Sequence, residues 1–148
     1  MEIGRKRLPH EIPEGVEIGP EGEVFFITIC CEPRGENQLA NDRVWSGIVE
    51  TVEHREKAGD WKIGLMVAMP DHLHALVGFP GNKRMPQVIR AFKAWMASCH
   101  GIRWQRDFFD HRLRSWESGE EKANYIRMNP VRAGLVATPG DWLYVLQR

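Results

Sequence analysis

Two histidines are the residues whose type and spacing first suggest chemistry. His72 and His74 are separated by a single leucine. Because successive side chains of a β-strand point to opposite faces, a strand here would place both imidazoles on one face, where they could bind one metal ion. Partly exposed strand histidines that bind nothing are also common. His72 and His74 are therefore candidate metal ligands whose assignment depends on other residues.

A tyrosine in a predicted helix strengthens the case. With about 100° between successive residues of a helix, four polar residues fall on one arc of its surface: Glu121, Lys122, Tyr125 and Asn129. A structural tyrosine more often lies on the apolar face, so this placement favours Tyr125 as a reactive phenol.

Two neighbours of Tyr125 have alternative interpretations. Asn129 lies one turn after Tyr125, so its amide oxygen could complete a His-His-Asn ligand set, although asparagine is also common as a helix C-cap. Lys122 could stabilise a phenolate or contact a phosphate, or it could be a solvated surface lysine.

The charge distribution bears on whether the partner is a nucleic acid. The formal net charge is zero, which by itself argues against phosphate binding. Residues 61–114, however, contain nine Lys or Arg and three Asp or Glu, whereas residues 1–60 contain seven and thirteen. This segregation indicates either a basic surface or scattered solvated charges. The candidate DNA-binding residues are Lys83, Arg84, Arg90, Lys93, Arg112 and Arg114.

Length and composition predict one globular domain without a membrane span. The chain has 148 residues, 43% hydrophobic and 27% charged, and no apolar run of the roughly 20 residues that a membrane helix needs. Residues 1–22 form a Pro/Gly-rich leader without a secretory signal, and residues 23–148 form the domain. Three cysteines, an odd number without metal or redox spacing, are expected to be reduced. A cytoplasmic protein is expected.

The order of predicted elements indicates an α+β fold. Strands are predicted at residues 24–30, 61–69, 72–79 and 108–113. One helix covers residues 39–57 with Asn41 as its cap, and a second covers residues 86–100, followed by Gly101. A third is capped by Ser118, runs to about Met128 and ends at Pro130. This order predicts a ferredoxin-like βαββαβ sandwich with an additional C-terminal helix that carries Tyr125.

Three longer motifs identify a family resemblance. They are Met69-Pro-Asp-His-Leu-His74, Trp104-Gln-Arg-Asp-Phe-Phe-Asp-His111, and Tyr125-Ile-Arg-Met-Asn-Pro-Val-Arg-Ala-Gly-Leu135 with Asp141-Trp142 after it. Together they resemble the REP-associated tyrosine transposases, domesticated relatives of the single-tyrosine insertion-sequence transposases in the HUH nuclease superfamily. The resemblance extends from about Phe25 to Trp142, with the motifs in the family's order.

The resemblance implies a fold, a cofactor and a substrate. The expected protein has a ferredoxin-like HUH fold, uses Mg²⁺ or Mn²⁺, and cuts single-stranded DNA beside palindromic hairpins, leaving a 5′-phosphotyrosine. His72 and His74 match the HUH pair and Tyr125 the nucleophile. Asn129 matches a third ligand that is more often Gln in the insertion-sequence branch. A monomer is expected, with a dimer as the alternative. The acidic leader and the zero net charge differ from the basic character expected of a protein that binds DNA tightly.

A different class of function is a non-catalytic ferredoxin-like nucleic-acid-binding module, in which sheet aromatics stack on bases. Phe25 and Phe26 are adjacent on the first strand and would face opposite ways, and the third strand lacks the aromatic pattern of such modules. Both features disfavour this interpretation. A third possibility is a structural domain whose histidines bind nothing.

Overall fold

The residues that this computed structural model describes, 24–80, 84–114 and 117–148, form a mixed α/β fold. The elements, in chain order, are β1 (Val24–Cys30), α1 (Asp42–Lys57), β2 (Lys62–Met69), β3 (His72–Gly78), α2 (Met85–His100), β4 (Phe109–Arg112), α3 (Gly119–Arg127), α4 (Asn129–Arg132), a 3-10 turn (Pro139–Asp141) and β5 (Val145–Gln147). The predicted leader and Lys83 lie outside the described residues. All four predicted strands and three predicted helices are present.

The strands form one antiparallel sheet in the order β4-β1-β3-β2-β5. The first four positions are those of a ferredoxin-like sandwich, in which each βαβ crossover leaves room for one strand between its two parallel strands. The predicted fold class is confirmed. The fifth strand was not predicted. It extends the sheet beyond β2, where Val67 pairs with Val145.

Local capping sets the ends of the helices. The Asn41 side chain accepts a hydrogen bond from the Val44 backbone N–H at 3.0 Å, so α1 begins at Asp42 rather than at the predicted Leu39. Ser118 Oγ accepts from the Glu121 N–H at 3.0 Å and caps α3 as predicted. Gly101 ends α2 at a φ of +67°, in the left-handed region that glycine adopts without steric cost.

Different helices pack on the two faces of the sheet. Leu73, Ala75 and Val77 alternate along β3 and join the core formed with α1 and α2. Leu76 points the other way and packs with Ala123 of α3. Because His72 and His74 share the face of Leu76, α3 is the helix that lies over them. The strand period and the apolar stripe of α3 therefore determine which helix meets the histidines.

The chain does not leave the helical conformation at Pro130. α3 ends at Arg127, Met128 is its C-cap, and α4 begins directly at Asn129. Proline lacks an N–H donor, which the first turn of a helix does not need, so Pro130 fits at the start of α4. The interpretation of Asn129 as a C-cap is wrong, and its side chain is left for other contacts.

Cys30, Cys31 and Cys99 are free thiols. No helix within residues 24–80, 84–114 and 117–148 has both the length and the apolar character to cross a membrane.

Candidate active site

The two candidate histidines lie side by side on β3. His74 is directly opposite Thr28 of β1, and His72 is opposite Cys30. Their ring centroids are 4.7 Å apart and the rings are nearly perpendicular, at 79°. This confirms that the imidazoles share one face. His74 is buried, with 7% of its surface exposed, and His72 is partly buried.

Each imidazole is held at Nδ1 by a neighbour. Asp71 Oδ1 lies 2.9 Å from His72 Nδ1, and Thr28 Oγ1 lies 2.9 Å from His74 Nδ1. Metal-binding histidines typically use one ring nitrogen for the ion and the other for such an orienting contact. The Nε2 atoms are therefore the ones that can bind a cation. His72 Nε2 faces the Asn129 side chain at 3.4 Å.

Both imidazoles are neutral at neutral pH. Burial, together with the electrostatic effect of His72, Arg132 and Arg34, lowers the pKa of His74 to about 3. Burial also lowers the pKa of His72, although Asp71 opposes the shift. A neutral imidazole is the form that binds metal, so the protonation state suits a metal site.

Asp71 is hydrogen-bonded to His72 and is itself held in place by two other residues. Its carboxylate accepts hydrogen bonds from Arg34 Nε at 2.9 Å and from the Gly35 backbone N–H at 2.7 Å. Partial burial alone would raise the pKa of Asp71, but the bonds from Arg34, Gly35 and His72 outweigh it and hold the pKa well below its usual value. Asp71 is thus a fixed anion that orients His72. Sequence analysis missed both Asp71 and Arg34 as contributors to the site.

Asp71→Asn is expected to weaken Mn²⁺ binding by about 10- to 100-fold, since the ring of His72 loses a charged orienting partner. Titration calorimetry of the full chain with Mn²⁺ measures the effect. Asp110→Asn is the matched control, because Asp110 lies on β4 opposite Ile27, whose side chain faces α1 and α2. Unchanged Mn²⁺ affinity in Asp71→Asn would show that the carboxylate does not support the metal site.

Tyr125 projects from α3 beside the histidines. Its ring meets Phe26 edge-on at 6.0 Å and His74 at 6.2 Å between centroids. Ala123 and Ile126 of the same helix are fully buried, whereas half of the Tyr125 surface is exposed. The polar placement inferred for Tyr125 is confirmed, and its role as nucleophile remains a prediction.

Asn129 is the third donor that could complete a metal site. Within the described parts of the chain, no three His, Cys, Asp or Glu side chains form a metal-binding group. A site here therefore needs the amide of Asn129 beside the two imidazoles. A half-turn of this amide exchanges its nitrogen and oxygen, so the oxygen can face a cation between Asn129 and His72. These three donors, two nitrogens and one oxygen, could hold one divalent cation and leave its other positions for phosphate or water.

Arg132 is a residue of the site that sequence analysis missed. Its guanidinium carbon lies 4.2 Å from the centre of the Tyr125 ring. One terminal nitrogen donates to the backbone carbonyl of Tyr125 at 2.6 Å. In the sequence, Arg132 follows Tyr125 by seven residues, about two helical turns, within the third motif. This spacing could have indicated the contact.

Comparisons with known proteins are consistent with this arrangement. No family model matches the chain. The chain is 28% identical to the REP-associated tyrosine transposase of Escherichia coli K12, across 82% of this chain and 74% of that protein. It is 26% identical to a candidate REP-associated tyrosine transposase of Haemophilus influenzae, across 84% of this chain and 79% of that protein.

The chain is therefore similar to REP-associated tyrosine transposases over more than four fifths of its length. A solved structure of a REP-associated tyrosine transposase bound to a REP hairpin has the same fold. The TM-score is 0.73 at 21% identity, with 98% of this chain and 82% of that chain covered.

Those basic residues expected to bind DNA that the structure describes are not gathered at His72 and His74. Arg90 and Lys93 line an open groove beside α2, and Lys93 Nζ donates to the backbone carbonyls of Gln105 at 2.9 Å and Arg106 at 3.1 Å. Arg112 is opposite Phe25, whose side chain packs toward α1 and α2. Arg84 and Arg114 are exposed at the start of α2 and after β4. Their role in DNA binding remains a prediction.

Lys122 lies one turn before Tyr125 on α3. It lines a small recess with Glu117, and its charge contributes to lowering the pKa of that carboxyl. A role for Lys122 beside the phenol remains a prediction.

Glu117 joins β4 to the helix that carries Tyr125. The buried carboxylate accepts from the Arg114 backbone N–H at 2.7 Å and lies 3.0 Å from His111 Nε2. Burial alone would raise the pKa of Glu117, but these two contacts lower it. His111 therefore has a structural partner.

Glu117→Gln is expected to lower the free energy of unfolding by about 1–3 kcal/mol at pH 7, since a buried charge-assisted contact is lost. Because the pKa of Glu117 is lower in the folded chain, the unfolded chain binds more protons below about pH 4.3, and wild-type stability falls as the pH falls. Urea unfolding at pH 7 and pH 3.5 measures both effects. The difference between wild type and variant should shrink in acid. If the difference in unfolding free energy between wild type and Glu117→Gln were the same at both pH values, the Glu117 carboxylate would not be the stabilising group.

Proposed function

We propose that the chain is a metal-dependent endonuclease and strand transferase for single-stranded DNA, acting at palindromic hairpin elements. The observation that carries the proposal is the placement of the Tyr125 ring 6.2 Å from the His74 ring, which itself lies 4.7 Å from the ring of His72. A phenol beside two oriented metal ligands is the minimum that a tyrosine nuclease needs. The names of the homologues support the same reaction class.

The reaction is a transesterification at phosphorus. The Tyr125 hydroxyl loses its proton and attacks the scissile phosphate, and the bond from phosphorus to the 3′ oxygen breaks. The products are a 5′-phosphotyrosine and a free 3′-hydroxyl, whose oxygen takes up a proton. Since one phosphodiester replaces another, attack by a different 3′-hydroxyl reverses the step and joins strands without an external energy source.

His72, His74 and Asn129 would hold Mg²⁺ or Mn²⁺. The ion supplies Lewis-acid polarisation of the scissile phosphate when bound. Asp71 and Thr28 keep the imidazoles oriented, and the packing of α3 on the sheet positions the phenol for attack. Lys122, one turn before Tyr125, would contact a phosphate near the phenol.

A DNA hairpin is the proposed substrate. The protein of the same fold is described as bound to a REP hairpin, which makes this substrate class the first to test. Exposed Arg84, Arg90, Arg112 and Arg114 would contact hairpin phosphates away from the reacting group. Tyr125, His72 and His74 meet within a single chain, so one copy contains the proposed nucleophile and metal ligands, which supports the expectation of a monomer.

The non-catalytic binding module is a weaker interpretation. Such modules use an open sheet face for stacking, whereas α3 covers the face that bears Phe26 here. Phe25 points to the opposite side, into the core with α1 and α2, and contacts Phe79. The two aromatics therefore cannot form one platform.

A single-stranded DNA hairpin taken from palindromes flanking the gene, labelled on the 3′ side of the cleavage position, tests the proposal. With Mn²⁺, the full chain should form a covalent adduct that resists denaturing detergent, and EDTA should prevent it. Hairpin binding without any adduct across Mn²⁺ and Mg²⁺ concentrations would favour the binding module. An adduct that persists in EDTA would contradict metal dependence.

A further inference from the structure

The Arg132 guanidinium has an unusual position for a surface arginine. It lies over the face of the Tyr125 ring at 4.2 Å, and one terminal nitrogen is bonded to the backbone carbonyl of Tyr125. The backbone of Arg132 is held in α4, where its N–H donates to the Met128 carbonyl at 2.9 Å. These contacts keep the cation beside the phenol that the proposed reaction uses.

The charge of Arg132 is not neutralised by a carboxylate within the part of the chain that the structure describes. Other arginines near the site have acidic partners: Arg34 is paired with Asp71 and Arg127 with Glu120. Arg132 instead contacts a ring and a carbonyl, and a guanidinium has five N–H donors, so donors remain for an anion. An exposed cation without an acidic partner can bind a phosphate at little desolvation cost.

Arginine is well suited to bind the scissile phosphate, which must lie next to Tyr125 during the reaction. The planar fork of a guanidinium donates two parallel hydrogen bonds to phosphate oxygens. As Tyr125 attacks, negative charge increases on the non-bridging oxygens of the phosphate, so a fixed cation binds the transition state more strongly than the substrate. Because Arg132 is anchored to Tyr125 itself, the phosphate that meets the phenol also comes within reach of the guanidinium.

We propose that Arg132 is a further catalytic residue, which donates hydrogen bonds to the non-bridging oxygens of the scissile phosphate. The inference rests on the proposed nuclease function. Arg132 forms and breaks no covalent bond; it stabilises charge while Tyr125 replaces the 3′ oxygen on phosphorus.

The rate of adduct formation in a single turnover tests the role of Arg132. Arg132→Ala should slow the reaction by on the order of 10²- to 10³-fold, the usual loss when one oxyanion-stabilising donor is removed. Arg132→Lys keeps the positive charge but lacks the planar guanidinium. Its rate of adduct formation should lie between those of wild type and Arg132→Ala. Arg127→Ala is the matched control. Arg127 lies on α3 but is bonded to Glu120, Asn124 and Gln147, and this variant should react at close to the wild-type rate.

A second substrate separates phosphate binding from support of the tyrosine ring. In a methylphosphonate substrate, a methyl group replaces one non-bridging oxygen at the cleavage position and removes the negative charge. If Arg132 binds that phosphate, the ratio of wild-type to Arg132→Ala rates should shrink by at least about tenfold on the neutral substrate. An unchanged ratio would mean that Arg132 acts only by holding Tyr125, and it would overturn the inference.

The outcomes distinguish this inference from the proposal on which it rests. A wild-type chain that forms no adduct under any metal condition contradicts both. A wild-type adduct with an equal rate in Arg132→Ala contradicts only the role of Arg132. Thermal unfolding of each variant shows whether a slow rate reflects loss of the fold. If Arg132→Ala is destabilised, the rate of Arg132→Lys, which retains the charge, is compared with wild type instead.

Discussion

Replacing Tyr125 with phenylalanine should eliminate the covalent protein–DNA adduct and leave hairpin binding almost unchanged. The substitution removes only the hydroxyl, and the ring contacts with Phe26 and His74 remain possible. A missing nucleophile should lower the rate of adduct formation by on the order of 10³-fold or more. Denaturing electrophoresis of the labelled DNA measures the adduct, and fluorescence anisotropy measures binding.

Tyr144→Phe is the control for this experiment. Tyr144 is the other tyrosine of the chain, and its hydroxyl donates to Asp42 Oδ1 at 3.0 Å at the start of α1. It packs on Trp45 and Trp142 and has no contact with the histidine pair among the described ring contacts. Tyr144→Phe should therefore retain the adduct. An adduct of undiminished yield in Tyr125→Phe would place the nucleophile elsewhere.

Alanine in place of His74 should abolish both Mn²⁺ binding and adduct formation. One of two imidazole donors is lost, and Asn129 with His72 cannot replace it, so metal affinity should fall by at least about 100-fold. The loss of phosphate polarisation should slow the reaction by on the order of 10³-fold. Titration calorimetry with Mn²⁺ and the single-turnover adduct assay measure the two effects separately.

His111→Ala is the matched control for the histidine. His111 lies on β4, opposite Phe26, so it belongs to the same sheet face as the pair, but its ring contacts Glu117. This variant should lose some stability and keep wild-type Mn²⁺ affinity at temperatures where it is folded. If His74→Ala bound Mn²⁺ as tightly as wild type, the metal site would have to lie outside the histidine pair.

Local features of the chain explain why its secondary structure was predictable. Short apolar runs on either side of Pro70-Asp71 locate β2 and β3, and the cap at Ser118 locates α3 to within a residue. These features depend on neighbours only a few positions away. β5 was missed because a three-residue strand has little pattern of its own and exists only where it pairs with β2. α4 was missed because Pro130 was taken as the end of a helix rather than the start of one.

The sequence by itself determined the shared face of His72 and His74, the polar placement of Tyr125 and the order of the fold, since strand and helix periods follow from backbone geometry. Only the tertiary structure decided which charged groups surround them. Arg34 reaches Asp71 across 37 positions of the chain, and Thr28 reaches His74 across 46. Arg132 returns to Tyr125 because α4 follows α3 without a loop, whereas Arg112 lies on the other face of the sheet. Such contacts depend on how whole elements pack together, and packing depends on residues far apart in the chain.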